Sequence, residues 1–168
     1  MLRLIAAPNY NVRAMIMVDL PDETATVALA ARISALAITG DIIALRGDLG
    51  AGKTTLARAF IRARGNRDEE VPSPTFTLVQ VYQLLPAAIW HFDLYRLRVP
   101  EEAWELGIED AFNDGISLIE WAERLGPLLP ERRLEITLGF GGRPASRQAS
   151  LDPGTGWHAR LRAIIADA

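Results

Sequence analysis

Residues 47–54 read Gly-Asp-Leu-Gly-Ala-Gly-Lys-Thr and match the phosphate-binding pattern G-x-x-x-x-G-K-[ST] at every position. Glycines there let backbone N–H groups approach phosphate oxygens where a Cβ would intrude. A helix starting at the end of such a turn directs its unpaired N–H donors and positive pole at the same anion. Lys53 can neutralise β- and γ-phosphates, and the Thr54 hydroxyl can ligate magnesium. Asp48, Leu49, Gly50, Ala51, Gly52 and Thr55 complete the candidate nucleotide-binding stretch. Lys53 is also the only lysine in a chain whose other seventeen basic residues are arginines. It stands where a compact ammonium suits a phosphate better than a planar guanidinium.

Phosphoryl chemistry at such a turn needs an acid on a neighbouring strand end to organise the metal and the attacking water. Asp93 follows the apolar run 87–92 and Glu120 ends the run 116–119. The residues alone do not divide the two roles. Ser73 and Thr75 flank Pro74 between the P-loop helix and the next strand, where hydroxyls could sense the γ-phosphate as a switch. An ordinary proline turn is the competing reading. His91 reads as a packed strand residue, Trp121 as core or as a cover for the site, and Arg58 with Arg62 as a solvated helix face. With its one lysine in the P-loop, the chain has no N-K-x-D signature for guanine, so ATP is expected rather than GTP.

These residues need elements to hold them. A strand is expected at 15–19 and a helix at 22–38, with Leu29, Ile33 and Leu36 on one face. The run 41–46 reads as a strand covered on both faces, and 53–64 as a helix stopped by Gly65-Asn66. A polar, proline-bearing loop follows at 67–74. Strands are expected at 76–82 and 89–97, paired antiparallel across a short linker. Pro100, Glu101 and Glu102 open a short helix that Gly107 closes. Strands follow at 116–120, 134–138 and 148–151, then a terminal helix with Trp157, Leu161 and Ile164 on its apolar face. The pattern is α/β: a P-loop NTPase-like single domain with a mixed sheet flanked by helices.

The 168 residues suit one domain, expected at 15–168, with 1–14 as an extension or a misassigned start. A hydrophobic fraction of 49% supplies a core. No apolar run reaches the roughly 18 residues of a membrane span, and 1–16 lacks the apolar stretch of a signal peptide. The absence of cysteine removes disulfides, thiolate metal sites and cysteine nucleophiles. A net charge of −3 argues against a protein built to grip nucleic acid directly. A cytoplasmic protein, monomeric when alone, is the expectation.

Four blocks in order, GDLGAGKTT at 47–55, SPTFTLV at 73–79, HFDLYRL at 91–97 and LIEWAERL at 118–125, resemble one family. It is the bacterial ATPase family TsaE (also called YjeE) of tRNA threonylcarbamoyladenosine biosynthesis. LGIEDAFNDG at 106–115 and LPERRLEI at 129–136 extend the resemblance. It implies an ATPase that works with a TsaB–TsaD pair, contacts tRNA only through that complex, and is weak alone. It further implies that Lys53 grips phosphate, that Thr54 and Glu120 hold magnesium, and that Asp93 serves turnover. Trp121 would lie beside the site, and Glu23 and Thr24 near the adenine. Phe76 and Gln80 depart from the family, where tyrosine and an acid are common. Two other functions share a P-loop: a small-molecule kinase, and an ATP-gated adaptor without turnover.

Overall fold

Apolar side chains run unbroken through β3 (Ile42–Arg46) because both faces of this strand are covered. Strand alternation sends Ile43 and Leu45 into one core and Ile42 and Ala44 into another. The first core packs against α1 (Glu23–Leu36) and α2 (Lys53–Arg64) through Leu29, Ile33, Leu56, Phe60 and Ile61. The second is closed by the 3₁₀ segment Pro100–Leu106, α3 (Ile108–Asp114) and the turn Ala122–Leu128, through Ala103, Ile108, Ala111 and Leu125. The computed structural model of the chain describes residues 2–4, 15–65 and 70–166, with side chains over 15–65 and 70–162.

Around β3 run parallel β5 (Ile89–Asp93), β6 (Ile116–Glu120) and β7 (Leu134–Phe140). Antiparallel strands extend both sides: β4 (Val79–Tyr82) beyond β5, and β8 (Arg147–Asp152), β2 (Ile16–Leu20) and β1 (Leu2–Leu4) beyond β7. The described sheet therefore has the order β1-β2-β8-β7-β3-β6-β5-β4. The expected α/β domain with a mixed sheet is the observed one. The stretch read as an extension contributes β1, while Met1 and 5–14 lie outside the described residues. Asn66 and 67–69 of the expected loop also lie outside them, as does the Ile164 side chain. Trp157 and Leu161, the rest of that helix face, are buried beside α4 (His158–Ala166) and within it.

Two strands are shorter than expected, for local reasons. The strand read from Phe76 begins only at Val79. Thr75–Thr77 form a turn that Leu78 closes by donating its N–H to the Pro74 carbonyl at 2.6 Å, with Leu78 itself at φ 65°. The strand read to Leu97 stops at Asp93, whose Oδ1 accepts the Tyr95 N–H at 3.1 Å and bends the chain. The helix α3 was not expected; it follows directly on Gly107, which caps the preceding 3₁₀ turn at φ 77°.

The P-loop leaves β3 at Gly47, which has φ 131° and lies against the neighbouring strand. A Cβ at this position would stand 2.2 Å from the Leu138 carbonyl oxygen of β7, so only glycine lets the turn begin here. Gly47→Ala is expected to lower folding stability by about 3 kcal/mol through this overlap and the unfavourable φ. Urea unfolding should show a reduced midpoint with an unchanged slope.

Candidate functional site

Helices α1 and α2 begin in contrasting ways. Asp22 caps α1 by accepting the Ala25 N–H at 2.9 Å, and Glu23 adds negative charge to the first turn. Gly52 precedes α2 in the left-handed region, with no side-chain cap and no acid in the first turn. The leading N–H donors of α2 thus face the turn without a protein partner of that kind, which suits an anion. No protein atom lies within 4 Å of where a Cβ at Gly50 or Gly52 would stand, so backbone can meet a ligand closely there.

Lys53, the first residue of α2, folds back over the turn. Its Nζ donates to the carbonyls of Gly47 at 2.7 Å and Asp48 at 2.9 Å and lies 3.9 Å from the centroid of the Trp121 ring. Trp121 reaches this place from a left-handed backbone, φ 58°, immediately after β6, and its ring also packs on Tyr95. Trp121 matches both positions read for it: it packs against the second core and also lines the cleft. Burial pushes the Lys53 pKa below its ordinary value, opposed by the nearby charges of Glu120, Glu123, Asp93 and Asp48.

Thr54 points the other way and donates from Oγ1 to Glu120 Oε2 at 2.7 Å. A hydroxyl and a carboxylate are hard oxygen donors of the kind that hold magnesium beside nucleotide phosphates, which complete the coordination together with water. Among the described residues no group of three or more His, Cys, Asp or Glu side chains converges on a metal position. The donor set therefore fits a cation that arrives with phosphate better than one caged by protein alone. The other oxygen of Glu120, Oε1, lies 2.9 Å from Nε2 of the fully buried His91. His91 is packed in its strand as expected; its bond to Glu120 was not anticipated. Strand spacing places His91 on the face of Asp93, two residues on, but carries no signal for Glu120 on the neighbouring strand.

Asp93 faces the same cleft but has different partners. Its Oδ2 accepts from Thr75 Oγ1 at 2.7 Å, and Thr75 in turn lies 2.8 Å from Ser73 Oγ. The two hydroxyls proposed as a switch are therefore tied to one of the two candidate acids. Arg58, read as solvated surface, is instead bonded: its Nε donates to the Val71 carbonyl at 2.8 Å and ties the segment before Ser73 to α2.

The site cleft, of about 320 Å³, is lined by Leu49, Gly50, Gly52, Lys53, Thr54, Thr55, Thr75, Asp93, Tyr95, Arg96, Glu120 and Trp121. Arg96 and Tyr95 were not singled out from sequence; Arg96 lies over the exposed Phe76 ring at 4.4 Å. Arg147 of β8, likewise unexpected, donates to the Gly50 carbonyl at 3.2 Å. A larger cleft of about 810 Å³ opens between α1 and α2, with Glu23 and Thr55 among its lining residues. Thr24 is exposed and lines neither cleft.

A glycine turn between a central parallel strand and an uncapped helix, with a lysine folded over it and an acid on the adjacent strand, is the arrangement of a P-loop NTPase-like fold. Residues 20–148 match the family described as Threonylcarbamoyl adenosine biosynthesis protein TsaE, and the chain belongs to that family. It is 42% identical over 122 residues to the tRNA threonylcarbamoyladenosine biosynthesis protein TsaE of Rickettsia felis, covering 73% of this chain and 71% of the relative. The Bacillus subtilis protein of the same name is 38% identical over 123 residues, 73% of this chain and 75% of its own. The crystal structure of Bacillus subtilis YdiB superposes with a TM-score of 0.78 at 26% identity, covering 94% of this chain and 99% of that one.

Removing the Thr75 hydroxyl should loosen the segment held on Asp93. Thr75→Val keeps the shape but leaves Oδ2 without its donor, at a cost of about 2 kcal/mol for a hydrogen bond to a charged group. Urea unfolding should report that loss, and amide exchange should quicken across 70–78.

Proposed function

We propose that the chain binds ATP with magnesium at residues 47–54 and hydrolyses it in support of threonylcarbamoyl transfer to a tRNA adenosine in the anticodon loop. In this reading it acts with a TsaB–TsaD-like pair, reaches tRNA only through that complex, and works in the cytoplasm as a monomer when alone. The observation that carries the reading is the bond from Thr54 to Glu120 at the uncapped start of α2, in a member of the TsaE family. Among the described residues no helix is long and apolar enough to cross a membrane.

The residues divide the work by position. The free N–H donors at the start of α2 and the turn glycines receive the phosphates, and Lys53 exchanges its carbonyl partners for phosphate oxygens. Magnesium, held by Thr54 and Glu120, would neutralise charge on those phosphates. In hydrolysis, water adds to the γ-phosphorus, the bond to the β–γ bridging oxygen breaks, and ADP leaves. Asp93 is the acid that would orient the water. Both Asp93 oxygens are engaged, however, by the Thr75 hydroxyl and the Tyr95 N–H. Turnover then requires the Ser73–Thr75 turn to release the carboxylate, which supports a weak ATPase when the chain is alone. A partner that reseats this turn would raise the rate, and ATP would tighten partner binding by the same factor.

Two outcomes are expected. Glu120→Gln should weaken magnesium-dependent ATP binding and be partly restored by added magnesium, whereas Asp93→Asn should bind ATP but release phosphate far more slowly. Calorimetric titration at several magnesium concentrations, with phosphate-release rates, separates them, and identical magnesium dependence would refute the division. The function itself is tested by measuring phosphate release and multiple-turnover tRNA modification with and without a purified TsaB–TsaD pair. Hydrolysis by the isolated chain at about 10 s⁻¹, typical of enzymes, together with modification that cycles equally well without it, would refute the reading.

A further inference from the structure

The face of the sheet covered by α2 carries Ile89, His91 and Asp93 from β5 and Ile116, Leu118 and Glu120 from β6. Ile89, Ile116 and Leu118 belong to the first core. His91 is as buried as they are, 0% exposed. An imidazole there must be stripped of water, and its Nδ1 has no hydrogen-bond partner. An aliphatic side chain would carry neither cost. Among the described residues the one polar partner of the His91 side chain is Glu120, Nε2 to Oε1 at 2.9 Å.

That contact restricts Glu120. With Oε1 taken by His91 and Oε2 by Thr54 at 2.7 Å, the carboxylate has one orientation, presenting Oε2 at the start of α2. Because a carboxylate only accepts, it is Nε2 that carries the hydrogen of this bond. We propose that His91 is a positioning residue: its Nε2–H holds Glu120 so that Oε2 faces the Thr54 hydroxyl and the divalent cation that enters with the nucleotide. Partners behind a ligating carboxylate tune metal affinity without touching the metal. The inference rests on Glu120 as the magnesium ligand.

The test is calorimetric titration of ATP into His91→Leu, His91→Gln and Glu120→Gln, each across a magnesium series and in chelator, with urea unfolding to confirm that each variant folds. His91→Leu should bind ATP in chelator as the unmodified chain does, yet need about ten- to a hundredfold more magnesium for full binding. His91→Gln, whose amide N–H can occupy the place of Nε2–H, should recover most of that shift. A core role alone would move stability and leave the magnesium requirement unchanged, which would overturn the proposal. A folded glutamine variant that behaves like the leucine variant would overturn it too. If the leucine variant does not fold, His91→Asn, too short to reach Oε1, carries the same expectation. A shifted magnesium requirement in Glu120→Gln but not in the His91 variants sinks this inference and spares the functional reading. No shift in Glu120→Gln removes the assigned ligand, and both fall.

Discussion

The hydrogen bond between Thr54 and Glu120 joins residues 66 positions apart in the chain, one opening α2 and the other closing β6. Each end is aimed by a separate constraint. Thr54 is aimed by the turn that begins at Gly47, where the Leu138 carbonyl leaves no room for a side chain. Glu120 is aimed by the pairing of β6 with β3 and β5, which sets Glu120 opposite Leu45 and Asp93. A slip of one residue in that pairing would turn the carboxylate to the far face of the sheet. The register of three strands is thus part of the site, and the apolar packing that fixes the register also fixes the carboxylate.

The two acids are tied to α2 by routes of different stiffness. Glu120 meets Thr54 directly and has His91 behind it. Asp93 is reached indirectly: Arg58 of α2 holds the Val71 carbonyl, the chain runs on to Ser73 and Thr75, and Thr75 holds Asp93. The first connection lies between packed elements. The second passes through the turn Thr75–Thr77, whose Phe76 is 81% exposed and which Leu78 closes from a left-handed backbone. The Asp93 connection thus depends on a turn that is itself partly exposed, whereas the Glu120 connection does not.

Much of this was legible in the residues. The unbroken apolar run of β3, the glycine turn and the helix ending at Gly65 gave the centre of the fold, because each has a strong local cause. The two acids were legible for the same reason, standing at the ends of apolar strands. Strand ends at 76–78 and 94–97 were not, because apolar alternation continues through them while hydrogen bonds to the Pro74 carbonyl and the Asp93 carboxylate bend the backbone. Arg58 looked like surface because helical spacing reports which face a residue occupies, not which distant carbonyl its long side chain reaches. His91 was correctly read as packed, but a periodic pattern cannot show that an imidazole and a carboxylate meet across two strands.

The bare start of α2 also bears on the stability of the chain by itself. A helix that opens on a glycine, with no side-chain cap, gives up about 0.3 kcal/mol relative to one closed as α1 is by Asp22. Any small oxyanion that settles on those donors supplies the missing cap and binds only the folded chain, so it shifts the folding equilibrium by mass action. The solvent's anions thereby become a variable of the apo protein's stability. A sulfate or phosphate settled on those donors would act as a substitute cap for α2.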